Sequence, residues 1–324
     1  MKKILFLSII LFSFSANAED RNQPEKQNQS NSFKDKWTFS ATWENDYFAD
    51  DDDNYTNGVR LSLISKQITD PHWLEKIAQR FPFFKEGGER RVVYSLGQSM
   101  FTPENVLATN VVKNQRPYAG WLYGSAGLIA ENDKILERFE LTAGIVGPSS
   151  LTYETQRFIH KMRENIVPRG WDNQLEDELG FIISYEKAYK EYYDFGFWGL
   201  GVDIMPKAGL ALGNVRTHAT AGATLRLGRD LPSDYGPPKI RPRLPGSEYF
   251  KPTKDFGWYF FADIEARAVA RNIFLDGNTF RDSHNVDKKL LVGDLQTGVA
   301  VTLGNYRIAY THIFRSKEDR KSVV

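Results

Sequence analysis

Residues 258–267 read WYFFADIEAR, and this stretch decides the fold. Every second residue from position 258 to position 266 is apolar, whereas Asp263, Glu265 and Arg267 share the alternate face. A period of two is typical of a β-strand with one apolar face. Three charges on one strand face either meet water outside a soluble sandwich or line the polar interior of a membrane barrel.

The same alternation returns along most of the chain, for example in residues 37–44 and 139–145. We predict strands near residues 36–48, 55–66, 91–100, 118–130, 134–146, 178–190, 196–213, 215–228, 256–273, 286–303 and 305–316. Repetition of long strands favours the barrel over the sandwich. The sequence therefore predicts an all-β protein, an antiparallel transmembrane β-barrel with about eleven strands and short helices in its loops.

The two ends of the chain differ from its middle. Residues 1–18 carry Lys2 and Lys3, an apolar run and the motif Ala16-Asn17-Ala18, which is the pattern of a cleaved signal peptide, with an uncleaved anchor as the alternative. Residues 19–35 are polar and predict a disordered leader, whereas residues 317–324 form a polar C-terminal tail. Residues 36–316 are then left as one barrel domain.

Composition excludes several classes of function. The chain has no cysteine, so disulfides, thiolate nucleophiles and cysteine-ligated zinc are ruled out. The formal net charge is +1 with the leader included, which gives no general attraction to nucleic acid. Aromatic residues make up 14% of the chain, and a barrel with two interfacial girdles uses them in this way, although a soluble sandwich can also reach that share.

Residues 71–81 and 148–165 break the strand pattern, because each begins with proline and then follows helical spacing. In the second helix Gln156, His160 and Glu164 are four residues apart and fall on one face. Glu164 can then hydrogen-bond one ring nitrogen of His160 and leave the other as a general base. The alternative is a surface helix with an incidental ion pair.

An acidic cluster follows the first predicted strand of the barrel. It contains Asn45 and Asp46, then four successive aspartates at 50–53, and then Thr56. Carboxylate, amide and hydroxyl oxygens are the ligands that calcium prefers, so a cation site is one interpretation. A solvated turn is the other, and the spacing does not match an EF-hand loop.

A third cluster opens the strand near residue 118. Arg116 has the geometry to clamp a phosphate in a bidentate manner, and Tyr118 with Trp121 would mark a membrane interface. An aromatic girdle with a snorkelling arginine is the alternative. Since no Gly-x-Ser-x-Gly elbow is present, water activated by His160 is the simplest nucleophile.

Taken together, the ordered motifs resemble the lipid A 3′-O-deacylase family of outer-membrane barrels. The motifs are Glu44-Asn45-Asp46, Tyr55-Thr56-Asn57-Gly58, Arg116-Pro117-Tyr118-Ala119-Gly120-Trp121, Gly147-Pro148-Ser149, Glu154-Thr155-Gln156 with His160, and Gly170-Trp171-Asp172-Asn173-Gln174-Leu175. Gly213-Asn214-Val215 and the loop from Leu231-Pro232 to Pro245-Gly246 also match, so the resemblance covers most of residues 37–318.

The resemblance implies a barrel of about twelve strands in the outer membrane of a Gram-negative bacterium, acting on lipid A of lipopolysaccharide. It implies calcium-dependent hydrolysis of an ester, with His160 as the catalytic histidine and Asp46 at the cation. Asn45 and Thr56 correspond to polar residues around the scissile ester, whereas Arg116, with Tyr118 beside it, corresponds to a basic residue near the phosphates. The acidic partner is Glu164 or Glu154, and helical spacing favours Glu164. We expect a monomer that binds no nucleic acid.

Two other functions remain open: an outer-membrane phospholipase-type esterase, and a structural or pore-forming barrel in which the His160 cluster is inert. The strand count raises a further hypothesis. An antiparallel outer-membrane barrel needs an even number of strands, and the count of eleven is odd. Either the chain is a truncated family member with an open sheet edge and impaired activity, or one strand lies elsewhere, for instance in residues 230–254.

Overall fold

The computed structural model describes residues 5–16, 36–45, 57–69, 72–80, 88–132, 134–162, 164, 167–229, 231, 235–236, 250 and 256–320. For residues 5–16 and Asn45 it describes the backbone alone. The described residues form thirteen strands of a single antiparallel sheet. The strands are β1 (Leu5–Ala16), β2 (Trp37–Asn45), β3 (Asn57–Ile64), β4 (Glu89–Phe101), β5 (Ala119–Glu131), β6 (Ile135–Val146), β7 (Glu178–Tyr189), β8 (Glu191–Asp194), β9 (Leu200–Gly213), β10 (Arg216–Arg229), β11 (Phe256–Asn272), β12 (Leu291–Leu303) and β13 (Tyr306–Arg315).

The sheet closes on itself. Strand β9 pairs with both β7 and β10, and β1 lies between β13 and β2. Because β7 and β8 pair with successive parts of β9, they fill one position around the barrel. In the described part of the chain the barrel therefore has twelve positions, the even number that antiparallel closure requires.

Strand β1 corrects the prediction of an open sheet edge. The eleven strands predicted from the sequence all form, as β2 to β7 and β9 to β13. The twelfth position is taken by Leu5–Ala16, which we assigned to the signal peptide, and its backbone pairs from Leu5 with Arg315 to Ala16 with Trp37. A short apolar run has no periodicity that separates a leader from a fully buried strand. Unpaired N–H and C=O groups at a sheet edge favour pairing with any such segment. Cleavage after Ala18 would remove β1 and stays an untested prediction, whereas the closed wall corresponds to the uncleaved chain.

Alternation of the side chains divides the barrel wall into two faces. On β2, Thr38, Ser40 and Glu44 are buried in the lumen, whereas Trp37 and Phe39 are 42% and 40% exposed on the outside. Exposed apolar residues continue the outer belt on the other strands, among them Leu61, Leu96, Phe181, Leu212, Leu225, Ile264 and Ile308. The predicted arrangement, with a polar interior and an apolar exterior, is confirmed.

Ion pairs between strands fill the lumen. Arg60 on β3 donates to Glu140 on β6 at 3.2 Å. Arg226 on β10 donates through Nε to Asp203 on β9 at 2.9 Å, and Lys207 pairs with Asp263 farther round the wall. Burying a charge is costly unless a partner of opposite charge is present, and these pairs cross from strand to strand. They therefore hold the wall together from inside.

The described residues also form three short α-helices outside the sheet: α1 (Trp73–Ala78), α2 (Thr152–Met162) and α3 (Ile273–Asp276). The first two fall inside the helices predicted at 71–81 and 148–165 but are shorter. Leu74 and Ala78 of α1 pack on the outer wall against Val92, Leu128 and Phe139. None of the helices in the described residues is long and apolar enough to cross a membrane.

Candidate functional site

The predicted site residues that the structure describes lie at one end of the barrel. We define the site rim as the end at which six strands finish, at Asn45, Phe101, Val146, Gly213, Asn272 and Arg315. The long connections 46–56, 102–118, 147–177 and 273–290 leave this rim, as does the segment after Arg315. All of the predicted catalytic and binding residues are on these connections or on the strand ends beside them.

Helix α2 begins beside the rim and carries His160 in its last turn. The chain turns sharply before the helix, with Gly147 at φ 103° and a 3-10 turn at Pro148–Ser150. Gln98 on β4 donates to the Ser150 carbonyl at 2.8 Å, which fixes the start of the helix on the wall. At Gly120 a Cβ atom would lie 2.0 Å from Ser150 Oγ, so glycine is required for this close approach.

The inward face of α2 is a stripe of residues four apart. Thr152 and Gln156 are buried, and His160 follows one turn later at intermediate exposure. Gln156 accepts a hydrogen bond from Trp171 Nε1 at 2.7 Å, and the Trp171 ring packs on Tyr118 with 5.0 Å between centroids. This packing fixes the orientation of the helix and therefore the position of His160.

The outward side of α2 exposes two large apolar side chains. Phe158 and Met162 are 64% and 68% exposed, and Leu151 at the start of the helix is exposed on the same side. Residues 158 and 162 are four apart and form one apolar stripe on the side of the helix opposite Gln156, with the exposed charged residues Glu154 and Lys161 beside it. Such a helix is suited to lie at a membrane surface.

Helix α2 ends before the residue that we predicted as the partner of His160. It stops at Met162, and Glu164 adopts a left-handed turn with φ 55°. Helical spacing favoured Glu164 over Glu154 as the partner of His160. That spacing does not apply at position 164, because this residue lies outside the helix. Glu154 lies in the first turn of the helix, six residues before His160.

Asn45 is the last residue of β2, opposite Asn57 of β3. Asp46 and Thr56, the predicted calcium ligand and the second polar residue at the ester, lie outside the described residues. Within the described part of the chain, no group of three histidine or acidic side chains is arranged to hold a metal. The predicted role of Asn45 and the predicted calcium site at Asp46 stay predictions.

Arg116 and Tyr118 are both buried, and so is Trp121. This corrects the interpretation of these aromatic residues as an interfacial girdle: Trp121 faces the lumen and stacks with Tyr123 at 5.6 Å. The Tyr118 hydroxyl donates to the Val106 carbonyl at 3.0 Å, so Tyr118 secures the 102–118 connection. Its predicted contact with substrate stays a prediction.

The rim also holds a cluster of arginines and carboxylates that the sequence did not predict. Glu318 follows β13 and pairs with Arg116 Nη2 at 3.2 Å and with Arg267 Nη2 at 3.4 Å. Arg315 forms ion pairs with two carboxylates: its Nη1 lies 3.8 Å from Glu318 Oε1, and its Nε lies 2.9 Å from Asp294 Oδ1. The alternation of β11 and β13 places Arg267 and Arg315 in the lumen, but nothing in the sequence pattern singles out Glu318, which we had assigned to the polar tail 317–324.

The electrostatic environment of Glu318 is strongly positive. Burial by itself would raise the pKa of this carboxyl group, but Arg315, Arg116, Arg267 and Arg216 outweigh burial and lower the pKa to about 2. Glu318 is therefore ionised at any physiological pH. It acts as a fixed counter-ion at the centre of four arginines.

Comparison with known proteins agrees with this architecture. The family model described as "Outer membrane protein LpxR" matches residues 4–323. Among solved structures, LpxR from Salmonella typhimurium superimposes with a TM-score of 0.63 at 16% identity, over 96% of this chain and 99% of that chain. The translocator domain of autotransporter NalP from Neisseria meningitidis gives a TM-score of 0.27 at 9% identity, over 96% of this chain and 86% of that one. No curated protein sequence matches.

The family match spans almost the entire chain, and the solved structure of similar fold spans nearly the full length of both proteins. The structural match agrees with the closed antiparallel wall of this chain. The chain therefore belongs to the LpxR family of outer membrane proteins, the lipid A 3′-O-deacylase family that its motifs resemble.

Proposed function

We propose that this protein hydrolyses an ester of lipid A in the outer membrane and releases the 3′-linked acyloxyacyl chain. The observation that carries the proposal is the two-sided character of α2. Its inward stripe runs Thr152, Gln156, His160, and its outward stripe exposes Phe158 and Met162. A lipid can then keep its acyl chains in the bilayer while its ester approaches a histidine at the polar rim.

In the proposed mechanism His160 is the general base. It takes a proton from water as the water oxygen attacks the ester carbonyl, and it returns a proton to the leaving alkoxide as the tetrahedral intermediate collapses. Asn45 and Thr56 are the proposed polar residues around the ester. One oxyanion donor is commonly worth about 3 kcal/mol in transition-state stabilisation. Glu164 and Glu154 remain the two proposed partners that orient the imidazole ring.

Calcium is the proposed cofactor, with Asp46 as its proposed ligand. The lumen-facing positions of β2 are 38, 40, 42 and 44, so a straight continuation of the strand would place position 46 on the same polar face. When bound, calcium would supply positive charge near the developing oxyanion. If this role is correct, Asp46→Ala abolishes activity and weakens the calcium dependence.

The filled lumen argues against a pore. Arg60, Glu140, Arg226, Asp203 and their neighbours are buried across the interior of the described barrel. A water-filled channel, by contrast, leaves such side chains solvated. We therefore favour an enzyme over a conducting barrel, and propose that it acts as a monomer.

Mass spectrometry of lipid A from cells that express the protein tests the proposed function. We expect a lipid A species that has lost one acyloxyacyl unit, and we expect purified protein in detergent to require calcium for the same reaction. Release of fatty acid from phospholipid alone would instead support the phospholipase-type esterase. Unchanged lipid A and phospholipid with every divalent cation tried would overturn the proposal.

A further inference from the structure

Glu318 reaches the arginine cluster because its backbone is anchored. Ser316 N donates to the Gly293 carbonyl, Lys289 N to the Glu318 carbonyl and Arg320 N to the Asp287 carbonyl, all at 2.9 Å or less. The segment 316–320 thus continues the pairing of β12 with β13 beyond the rim. Its backbone is fixed, and only the Glu318 side chain points into the cluster.

Arg116 comes to this carboxylate from the other side of the barrel mouth. It lies on the connection between β4 and β5, 202 residues away from Glu318 in sequence. Its guanidinium group lies 5.9 Å from the centroid of the Phe101 ring, and Arg216 lies over the same ring at 5.6 Å. Aromatic packing positions the two cations, and the carboxylate holds one of them by a hydrogen bond.

Arg116 retains donors that Glu318 does not use. Only Nη2 is engaged by Glu318, whereas Nε and Nη1 are buried without a hydrogen-bond partner among the described residues. Buried unsatisfied donors cost free energy, and a guanidinium group normally satisfies them with a second oxygen of a carboxylate or phosphate. Arg116 also lines a pocket at the rim together with Val111, Asn173 and His284.

We propose that the Glu318 carboxylate occupies the position of a phosphate group of the substrate headgroup. Phosphate and this carboxylate then compete for Arg116. This proposal rests on the proposed function for the identity of the substrate. A phosphate carries more charge than a carboxylate and has three acceptor oxygens, so it can also satisfy Nε and Nη1. Since segment 316–320 is held through its backbone, the competition requires only the Glu318 Oε2 contact with Arg116 to break, while Oε1 keeps Arg267 and Arg315 as partners.

Binding of inorganic phosphate to the purified full-length protein in detergent tests the competition without any catalytic step. Removing the competing charge while keeping the shape, in E318Q, should lower the calorimetric dissociation constant for phosphate about tenfold relative to the wild type. R116Q introduced into E318Q should abolish this increase in phosphate affinity. E176Q is the matched control, because Glu176 is also paired with an arginine at this end but is largely exposed, and it should bind phosphate like the wild type.

Equal affinities of E318Q and the wild type, or no binding by either, would overturn the proposal. Heat-modifiable migration on a gel establishes that each variant is folded. If E318Q does not assemble, E318D keeps the charge but withdraws it from Arg116; it should also bind phosphate more tightly, and an unchanged affinity would again overturn the proposal.

A kinetic comparison separates a lipid headgroup from free phosphate as the natural ligand. With phosphorylated lipid A, E318Q should lower KM with little change in kcat; with dephosphorylated lipid A, E318Q should match the wild type. Identical effects on both lipids would exclude the headgroup. Tighter phosphate binding by E318Q in a protein that deacylates neither lipid would overturn the proposed function but leave the anion competition standing.

Discussion

His160 differs from its neighbours on the inward face of α2 because it is less buried. Thr152 and Gln156 are buried and carry the contacts with the wall and with Trp171. His160 is at intermediate exposure in the last turn of the helix, where alanine is well tolerated. A role in chemistry can therefore be separated from a role in folding at this position.

We expect His160→Ala to lower kcat for lipid A deacylation by a factor of about 10²–10⁴, the usual contribution of a general base, while the barrel assembles normally. Lys161→Ala, an exposed change on the next residue of the same helix, is the control and should retain wild-type activity. The measurement is the initial rate of acyl-chain release, with heat-modifiable migration as the check on folding. Near-full activity of the His160 variant would remove it from the mechanism.

Helical spacing singled out His160, because it predicts Gln156, His160 and Glu164 on one face. The structure places Gln156 and His160 on the same face of α2, and the catalytic role of His160 stays a prediction. The partnership of Arg116 with Glu318 was not found, because residues 202 positions apart leave no periodic signal. Glu164 was placed on the helix, but the helix ends two residues before it.

Among the elements, α2 depends on a very close approach to β5. A side chain at Gly120 would meet Ser150 Oγ and Thr152 Oγ1, with a Cβ atom 2.0 and 2.2 Å from them. Both hydroxyls are buried at the start of the helix and bond to each other at 2.7 Å. The Cβ atom of Thr152 would also lie only 2.6 Å away, so rotation of the hydroxyl groups alone does not relieve the clash, and a side chain at Gly120 must shift the start of the helix.

Gly120→Ala should therefore reduce deacylation by at least about tenfold, because shifts near 1 Å at a catalytic group are costly, while the wall of the barrel remains closed. Gly124→Ala on the same strand is the matched control: its Cβ atom would find its nearest neighbour at 3.8 Å, the Ser95 carbonyl oxygen. Activity and gel migration of the two variants would be measured side by side. Equal activities would show that the packing of α2 on β5 does not determine the rate of deacylation.

For the whole molecule, closure depends on strand parity. Strand β1 is antiparallel to both β13 and β2, so β13 and β2 are parallel to each other. Without β1 they would have to pair in parallel, unlike every other neighbouring pair described in this sheet, or leave two edges unpaired. Each unsatisfied backbone group facing lipid costs several kcal/mol.

We expect a chain that lacks residues 1–18 to refold in detergent with a lower yield of compact, heat-modifiable barrel than the full chain, and to be cut more readily by protease. The full-length chain refolded under identical conditions is the control. Equal yield and equal protease resistance would show that β13 and β2 close the wall by themselves, and that β1 is dispensable.

The sequence alone determined the barrel, because alternation with period two records which face of each strand is polar, and eleven strands could be placed from it. It also predicts where the site lies, since the resemblance of its motifs and the helical spacing in residues 148–165 both point to His160, whose role stays a prediction. Only the tertiary structure showed that Leu5–Ala16 closes the wall and that Glu318 meets Arg116 across the barrel mouth. Both are contacts between remote parts of the chain, and closing a sheet on itself brings together residues whose separation in sequence carries no pattern.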